Sequence, residues 1–429
     1  MQTNQSSAPN TLAHRLRLAL GPGLLLAGAA IGVSHLVQAT RAGAEYGFAL
    51  FWLLALAIIT KYPFLEFGPR FAAATGENLV AGYRRHGRLA YGAYVVITVG
   101  TMFIIQAAVT VVTAGLAEQL FQLGWSAPVW SAVLLACCIV LLLFGRYPGL
   151  DIAMKVIISV LTICTLAAVL LALGAGTWSQ TRATAAPPYW HAAGIGFIIA
   201  FMGWMPIPLD AAHWHSIWTQ ARSRQTGHRP TVGESRFDFD VGYGSAAVIG
   251  VLFFMLGALV MFGSGVTFVP QSVAFAGQIV DLYSQTLGAW SAPLVSVAAF
   301  VAMFSTTLAV TDAYPRVLSE LAETWRGVPA APNPRRQQGV YRAGLLLVPA
   351  LALVILVFMT GTFTRLVDFA AGLSFIAAPV LGTLNLKVIM GSQMPAAARP
   401  GRAYYGFSLA CLAFLYVFTA IWFYWTFWA

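Results

Sequence analysis

One apolar stretch of the chain, residues 192–219, contains the run Gly203-Trp204-Met205-Pro206-Ile207-Pro208-Leu209-Asp210. Its two prolines cannot both continue an α-helix, because each lacks an N–H donor and crowds the preceding turn. The carbonyl groups freed by such a break are costly in hydrocarbon, so the break is expected to line a cavity or a ligand site. The run therefore predicts a membrane helix that is interrupted near its middle.

The first apolar stretch, residues 19–43, is interrupted in a comparable place. It contains the run Ala29-Ala30-Ile31-Gly32-Val33-Ser34-His35-Leu36-Val37-Gln38. The two interrupted stretches are the first and the sixth, which is the spacing expected if spans 1–5 and 6–10 form inverted repeats and span 11 is an addition. In transporters of that design, substrates and ions bind near the bilayer midplane between the two discontinuous helices.

The composition indicates a membrane protein. Of the 429 residues, 59% are hydrophobic and 9% are charged, against roughly 25% charged in an average soluble domain. So little charge excludes an ordinary soluble enzyme, a nucleic-acid-binding domain and a disordered protein. Apolar stretches of about 18 or more residues mark membrane helices, and the sequence predicts an all-α polytopic protein with eleven of them: 19–43, 47–74, 92–120, 128–146, 151–175, 192–219, 239–265, 289–318, 340–361, 363–390 and 404–428.

The positive charges predict the orientation. With the N-terminus inside, the outer side holds only Arg41, Arg182 and Arg365 of the 24 Lys and Arg residues, and Lys61 lies inside span 2. This asymmetry predicts a bacterial-type inner membrane protein with its C-terminus outside. We expect a cytoplasmic tail at 1–18 and one transmembrane domain at 19–429. A basic cytoplasmic loop is expected at 220–238, and an outer segment with a short interfacial helix at 266–288.

Three short motifs resemble a known transporter family. Gly21-Pro22-Gly23 opens span 1, the stretch continues to Arg70, and Ala74-Thr75-Gly76-Glu77-Asn78-Leu79 follows. This segment resembles, without a gap, the opening of the natural-resistance-associated macrophage protein (Nramp) family of divalent-metal transporters, and the pair His215-Ser216 is similar to that family as well. The resemblance implies the inverted-repeat fold and proton-linked import of Mn²⁺ or Fe²⁺.

The sequence departs from the family at both breaks. The family has Asp-Pro-Gly-Asn in span 1, where this chain has Gly32-Val33-Ser34-His35. The family has Met-Pro-His-Asn in span 6, where Met205-Pro206 match and Ile207-Pro208 follow. In a second register, anchored on His215-Ser216, Asp210 falls where the family has its first histidine. Both registers stay open, and the chain is predicted to be a divergent member that lacks the span 1 metal-binding motif.

Polar groups at the breaks are the candidate site, because ionisable side chains deep in a membrane are usually functional. On a helix, positions 210 and 213 share a face, so Asp210 and His213 can converge with His35, whereas the resemblance assigns His215 to the proton route. The predicted binding residues are Gly32, Ser34, His35, Gln38, Met205, Pro206 and Asp210; the predicted metal ligands are Asp210, His35 and Met205; and the predicted proton-coupling residues are Asp210, His213 and His215.

Three further ionisable residues lie inside apolar stretches. Lys61 in span 2 needs a partner, either as a structural ion pair or as a stand-in for a bound cation. Asp312 in span 8, beside threonines 306, 307 and 311, suits a Na⁺ or proton site or an inner vestibule, and Asp368 lies in span 10. The four cysteines lack metal-finger spacing and are interpreted as small buried hydrophobes.

These patterns predict a secondary-active transporter for proton-coupled uptake of a divalent cation, Mn²⁺, Fe²⁺ or a partly hydrated Mg²⁺. The alternative is a transporter of a small organic solute, an amine or amino acid, bound by a set of polar and aromatic residues: Ser34, His35, Gln38, Trp204 and Trp214. No resident cofactor and no nucleic-acid partner are expected, and the partners are the solute, protons and the lipid bilayer. An enzyme is not expected, since the sequence contains neither G-x-S-x-G nor H-E-x-x-H.

Overall fold

The computed structural model describes residues 19, 21–144, 148–265, 268–329, 333–358 and 363–428. Within these ranges the regular secondary structure is helical and no strand is present, which confirms the predicted all-α fold. The predicted cytoplasmic tail at 1–18 lies outside the described residues.

The described α-helices follow one another with short connections. They are α1 Pro22–Ala30, α2 Thr40–Tyr46, α3 Phe51–Thr75, α4 Leu79–His86, α5 Arg88–Phe121, α6 Ala127–Phe144, α7 Pro148–Gly174, α8 Thr177–Ala183, α9 Ala192–Trp204, α10 Ala211–Thr226, α11 Val232–Val260, α12 Ser272–Leu287, α13 Ser291–Thr324, α14 Pro334–Phe358, α15 Phe363–Met390 and α16 Arg402–Phe427. A π-helical segment at Ser34–Ala39 leads into α2, and 3₁₀ turns lie at Gly47–Leu50 and Ala396–Ala398.

Many of these helices are long and apolar enough to cross a membrane. Eight such segments are found among the described residues, one of which is the run Ser34–Thr75 that contains α2 and α3. Shorter apolar helices lie at Ile158–Gly174 and Ala192–Trp204. The chain is therefore a multi-pass membrane protein. The count of eleven spans, the inverted repeat and the orientation remain predictions.

Both predicted helix breaks are present. The first lies between α1, which ends at Ala30, and the π-helical segment that begins at Ser34. The second lies between α9, which ends at Trp204, and α10, which begins at Ala211. The Met205–Pro206 peptide bond in the second break is cis. Each break thus separates two half-helices within one apolar stretch, as the glycine and proline positions predict.

The bounds predicted for the basic loop, 220–238, are wrong. Helix α10 continues to Thr226, and α11 already begins at Val232. Thr231 and Glu234 form a capping box that satisfies backbone donors at the start of α11. Polar and basic residues therefore occupy helix ends here, and only 227–231 form the connection. The helix predicted within 266–288 is confirmed as α12.

Glycines bring the half-helices into direct backbone contact with their neighbours. A Cβ added to Gly203 at the end of α9 would lie 1.9 Å from the carbonyl oxygen of Ala371 in α15. A Cβ on Gly257 of α11 would lie 2.1 Å from the carbonyl oxygen of Thr40 in α2. Small residues allow such close helix crossings in membranes. These crossings fix the two breaks against α11 and α15.

The substitution Gly203→Ala tests this packing. Because the new methyl group would meet backbone rather than a flexible side chain, we expect the free energy of unfolding to fall by about 1–3 kcal/mol. The matched control is Gly196→Ala in the same helix, where a Cβ meets nothing within 4 Å. Thermal unfolding of the two purified variants in detergent measures the stability of each. An equal melting temperature for the two variants would contradict the assigned contact.

Candidate functional site

Lys61 fills the break of the sixth span. This lysine projects from α3 and is fully buried. Its Nζ donates to the carbonyl oxygens of Gly203 at 2.7 Å, Met205 at 3.0 Å and Ile207 at 3.3 Å. These oxygens lie at the C-terminal, negative end of α9. The ammonium therefore satisfies three carbonyl groups at the break, and its role as a stand-in for a bound cation stays a prediction.

Asp210 lies at the other end of the same break. It immediately precedes α10 and is 3% exposed. Its Oδ1 has no hydrogen-bond partner in the described part of the chain. A carboxylate buried without full pairing is costly. Among the described acidic residues, Asp210 is thus the one that lies at a break and has an oxygen without a hydrogen-bond partner. That oxygen is a possible ligand for a cation or a proton.

Ser34 and His35 connect the first break to its surroundings. The Ser34 hydroxyl donates to the Ala30 carbonyl at 2.7 Å and lies 3.4 Å from the Pro206 carbonyl oxygen. His35 Nδ1 lies 2.7 Å from Ser34 Oγ, and His35 Nε2 lies 2.8 Å from the carbonyl oxygen of Ala246 in α11. Ser34 therefore bridges the two breaks, while both ring nitrogens of His35 are already engaged.

Met205 packs beside His35. A Cβ on Gly250 of α11 would lie 3.3 Å from Met205 Sδ and 3.5 Å from His35 Cδ2, so both side chains face the same glycine. Among the described residues, no group of three His, Cys, Asp or Glu side chains is placed to hold a metal ion. The structure thus brings Ser34, His35, Met205 and Pro206 together, whereas Asp210 and Lys61 both lie at the break of span 6.

Gly32 packs directly against α13. A Cβ at this position would lie 2.5 Å from Thr306 Oγ1. The Thr306 hydroxyl lies 3.0 Å from the Gly28 carbonyl oxygen and 3.4 Å from that of Ile31. These oxygens belong to the last turn of α1 and to the break. Gly32 therefore provides room for a hydroxyl that satisfies the freed carbonyl groups.

The two histidines of α10 have different surroundings. His213 Nδ1 lies 3.0 Å from the Asp210 carbonyl oxygen, and its Nε2 lies 2.5 Å from the Tyr83 hydroxyl. Tyr83 also contacts Asn385, whose amide donates to the Phe64 carbonyl at 2.9 Å. His215 instead lies 3.3 Å from Asp238 of α11. The structure therefore joins His213 to Asp210 and separates His215 from it.

Tyr83 and Asn385 were not singled out from the sequence. Asn385 is a polar residue within the apolar stretch 363–390, and this position alone could have marked it as a candidate functional residue. Tyr83 lies in the short helix α4 between two predicted spans, where a tyrosine is unremarkable. Only the packing of α4 against α10 and α15 gives it a place in this hydrogen-bonded chain.

Gln38 belongs to a second polar cluster, between α2 and α15. Its amide donates to Asp368 Oδ1 at 2.9 Å. Arg41 donates to both oxygens of Asp368, at 2.8 and 3.3 Å, and to Glu45 at 3.4 Å. The Arg41 guanidinium also lies 5.0 Å from the ring centre of Phe197 in α9. This cluster ties the second half of span 1 to α9 and α15.

A double-mutant cycle tests the Arg41–Asp368 pair. We expect Arg41→Gln and Asp368→Asn each to lower the free energy of unfolding, and the double variant to cost less than their sum. The coupling should be about 0.5–3 kcal/mol, as for residues in direct contact. Thermal unfolding in detergent provides the values. Strict additivity would show that the pair is not coupled.

Two cavities adjoin the first half of span 1. A cavity of about 30 Å³ lies between the breaks, and its walls include Ser34, Thr306, Trp204 and Trp214. This volume is about the volume that one water molecule occupies in the liquid. A larger cavity of about 760 Å³ lies among α1, α7, α11 and α13, mostly with apolar walls.

Asp312 lies at the edge of the larger cavity. Its carboxylate is bonded at 2.6 Å both to Arg316 and to the Tyr341 hydroxyl. The hydroxyl groups of the neighbouring threonines 306, 307 and 311 bond to backbone carbonyl oxygens. Asp312 therefore faces this cavity, while the inner vestibule and the Na⁺ or proton site both stay predictions.

Comparison with solved structures shows which known fold this is. The chain matches a mutant of the Eremococcus coleocola manganese transporter with a TM-score of 0.69, at 15% identity, over 96% of this chain and 87% of that one. The structure of MhsT in complex with L-phenylalanine matches with a TM-score of 0.61, at 16% identity, over 95% of this chain and 98% of that one. At these identities, the similarity establishes the fold.

Sequence comparison establishes the family. An uncharacterised protein of Pasteurella multocida (strain Pm70) is 33% identical over 385 residues, which is 89% of this chain and 87% of that protein. The model of the natural resistance-associated macrophage protein-like family matches residues 23–426, nearly the whole chain. The resemblance noted at spans 1, 2 and 6 is thereby confirmed. The chain belongs to the Nramp family of multi-pass membrane transporters.

Proposed function

We propose that this protein is a secondary-active transporter that imports a divalent cation, with Asp210 as the cation's charged ligand and protons as the coupling ion. The observation that carries the proposal is the buried Asp210 carboxylate at the break of span 6, with an oxygen that has no partner in the described chain. The manganese transporters among the structural neighbours support a cation as the cargo.

The available donors favour a hard cation. Oxygen atoms dominate around the two breaks: the Asp210 carboxylate, the Ser34 hydroxyl and backbone carbonyl groups. Both nitrogens of His35 are engaged, and the Met205 sulfur packs toward Gly250. Oxygen ligands suit Mg²⁺ and Mn²⁺, and Mg²⁺ keeps several waters when it binds one carboxylate. We therefore infer that Mg²⁺ and Mn²⁺ are carried in preference to softer ions.

Lys61 provides a physical basis for proton coupling. A dication at Asp210 would add positive charge beside an ammonium group that already attracts this carboxylate. Cation and protons then compete for one small cluster of charged groups. His213, whose Nδ1 lies 3.0 Å from the backbone carbonyl oxygen of Asp210, leads on to Tyr83 and Asn385 and supplies polar groups next to that cluster. We propose His213 as the residue through which the proton leaves the site.

A second candidate function is transport of a small organic solute, an amine or amino acid. The observation that favours it is the apolar lining of both cavities, with Trp204 and Trp214 at the smaller one. An apolar wall with two indole rings suits an amphipathic molecule better than a hydrated ion.

Uptake into proteoliposomes distinguishes the two functions. The vesicles contain a divalent-metal-sensitive dye and are offered Mn²⁺, Co²⁺, Cd²⁺ and Mg²⁺ in turn, with and without an inward proton gradient. We expect saturable entry of Mg²⁺ and Mn²⁺ that is faster with the gradient, and slower entry of Cd²⁺. If folded protein admits none of these ions, cation transport is refuted, and amines and amino acids are tested on the same vesicles.

A further inference from the structure

The start of α1 is bound by one carboxylate. Asp238 of α11 is 3% exposed and accepts from two backbone amides. The Gly21 N–H donates to its Oδ1 at 3.0 Å, and the Gly23 N–H donates to its Oδ2 at 2.6 Å. Amides in the first turn of a helix have no partner inside the helix. A carboxylate that receives two of them also interacts favourably with the positive helix end.

The same carboxylate links α1 to the second half of span 6. His215 of α10 is fully buried, and its Nε2 lies 3.3 Å from Asp238 Oδ2. Asp238 thus contacts the first half of span 1 and the second half of span 6 from a position on the continuous helix α11. Half-helices that flank a break are the elements able to reorient separately from the rest of their span.

Backbone contacts hold α1 and α11 together at this point. A Cβ on Gly23 would lie 1.9 Å from the Asp238 carbonyl oxygen, and a Cβ on Gly242 would lie 2.0 Å from the Gly23 carbonyl oxygen. No side chain separates the two helices here. Helix α1 can therefore leave α11 only if both amide contacts to Asp238 break.

A cavity borders α1 beyond this contact. Leu24, Leu25 and Gly28 line the cavity of about 760 Å³. Ser305 of α13 also lines this cavity, is 9% exposed, and lies next to Gly28. Helix α1 is thus held at its start by Asp238 and borders this cavity further along. Ser305 would become accessible if α1 moved away from it.

From these contacts we infer that Asp238 is a positioning residue of the transport cycle: its carboxylate holds α1 against α10 and α11, and its release opens the cavity beneath α1. The inference concerns the motion and does not depend on which solute is carried. Its test is therefore independent of the cation proposal, and either one can fail alone.

The experiment measures the accessibility of a cysteine in place of Ser305. The exposed Cys137 is first replaced by serine, and Ser305→Cys is then introduced and labelled with a maleimide in detergent-solubilised, folded protein. We expect Asp238→Ala to increase the labelling rate at least tenfold, and Asp238→Asn, which keeps one acceptor oxygen, to give an intermediate rate. The matched control is Asp240→Asn, an exposed carboxylate two residues further along α11 that pairs with Arg236.

A second pair of variants tests the same motion without altering a charge. Gly242→Ala places a methyl group on the Gly23 carbonyl and should also increase labelling of Ser305→Cys. The control Gly233→Ala has no contact closer than 4.0 Å and should leave the rate unchanged. If Asp238→Ala fails to fold, the labelling rates measured with Gly242→Ala and Asp238→Asn test the inference instead. Unchanged labelling in variants that elute as folded monodisperse protein would overturn the inference, because a merely structural role lowers stability without exposing Ser305.

Discussion

Replacing Asp210 by asparagine is expected to abolish cation uptake while the protein remains folded in the membrane. The amide keeps the shape of the carboxylate and loses its charge, so the cation loses its only acidic ligand at the breaks in the described structure. Truncating one partner of a buried charge pair in a binding site costs about 2–5 kcal/mol of binding energy, which at about 1.4 kcal/mol per tenfold is at least ~30-fold in affinity. The measurement is initial uptake of Mg²⁺ and Mn²⁺ into proteoliposomes.

The control for this variant is Asp281→Asn. Asp281 is an exposed carboxylate of α12, far from both breaks along the chain, and its substitution should leave uptake unchanged. Equal protein recovery and an equal gel-filtration profile establish that both variants are folded. Full uptake by Asp210→Asn would show that the cation binds elsewhere.

Replacing Lys61 by methionine is expected to destabilise the protein strongly and to stop transport. Methionine fills the space but donates no hydrogen bond, so the carbonyl oxygens of Gly203, Met205 and Ile207 are left without the ammonium. Asp210 also loses its positive neighbour. By analogy with broken buried ion pairs, the free energy of unfolding should fall by about 3–5 kcal/mol. Thermal unfolding, followed by tryptophan fluorescence, measures the change.

Small cations provide a specific rescue of the Lys61 variant. If the lysine stands in for a cation, then Na⁺ or methylammonium at high concentration should raise the melting temperature of Lys61→Met and leave the wild-type value unaffected. The matched control is Lys387→Met, which removes an exposed lysine of α15 and should respond to neither cation. A Lys61→Met protein as stable as the wild type would contradict the role assigned to the ammonium.

The helical fold and its two interruptions follow from local chemistry. Pro206 and Pro208 break a helix whatever surrounds them, because the missing N–H and the ring clash are properties of proline itself. The apolar lengths similarly predict membrane helices without knowledge of their neighbours. The extent of the loop at 220–238 was mispredicted because polar residues at the ends of α10 and α11 resemble a loop in composition while remaining helical.

The partners of the site residues could not be predicted in the same way. The interactions of His35 with Ala246 and of Lys61 with Gly203 join residues far apart in the chain. They depend on how α3 and α11 pack against the breaks. Helical spacing predicts that the side chains of Asp210 and His213 share a face, whereas the contact in the structure is between His213 Nδ1 and the backbone carbonyl oxygen of Asp210, so the convergence of the two side chains stays a prediction. His215 points to Asp238, which no local pattern indicates.

Equilibrium binding of Mg²⁺ and Mn²⁺ to the purified protein tests the central claim most directly. Isothermal titration in detergent compares the wild type with Asp210→Asn at one protein concentration and one pH. The account predicts saturable binding of one cation per chain by the wild type and no detectable binding by the variant. Equal affinity and stoichiometry for the two proteins would contradict the assignment of Asp210 as the cation's ligand.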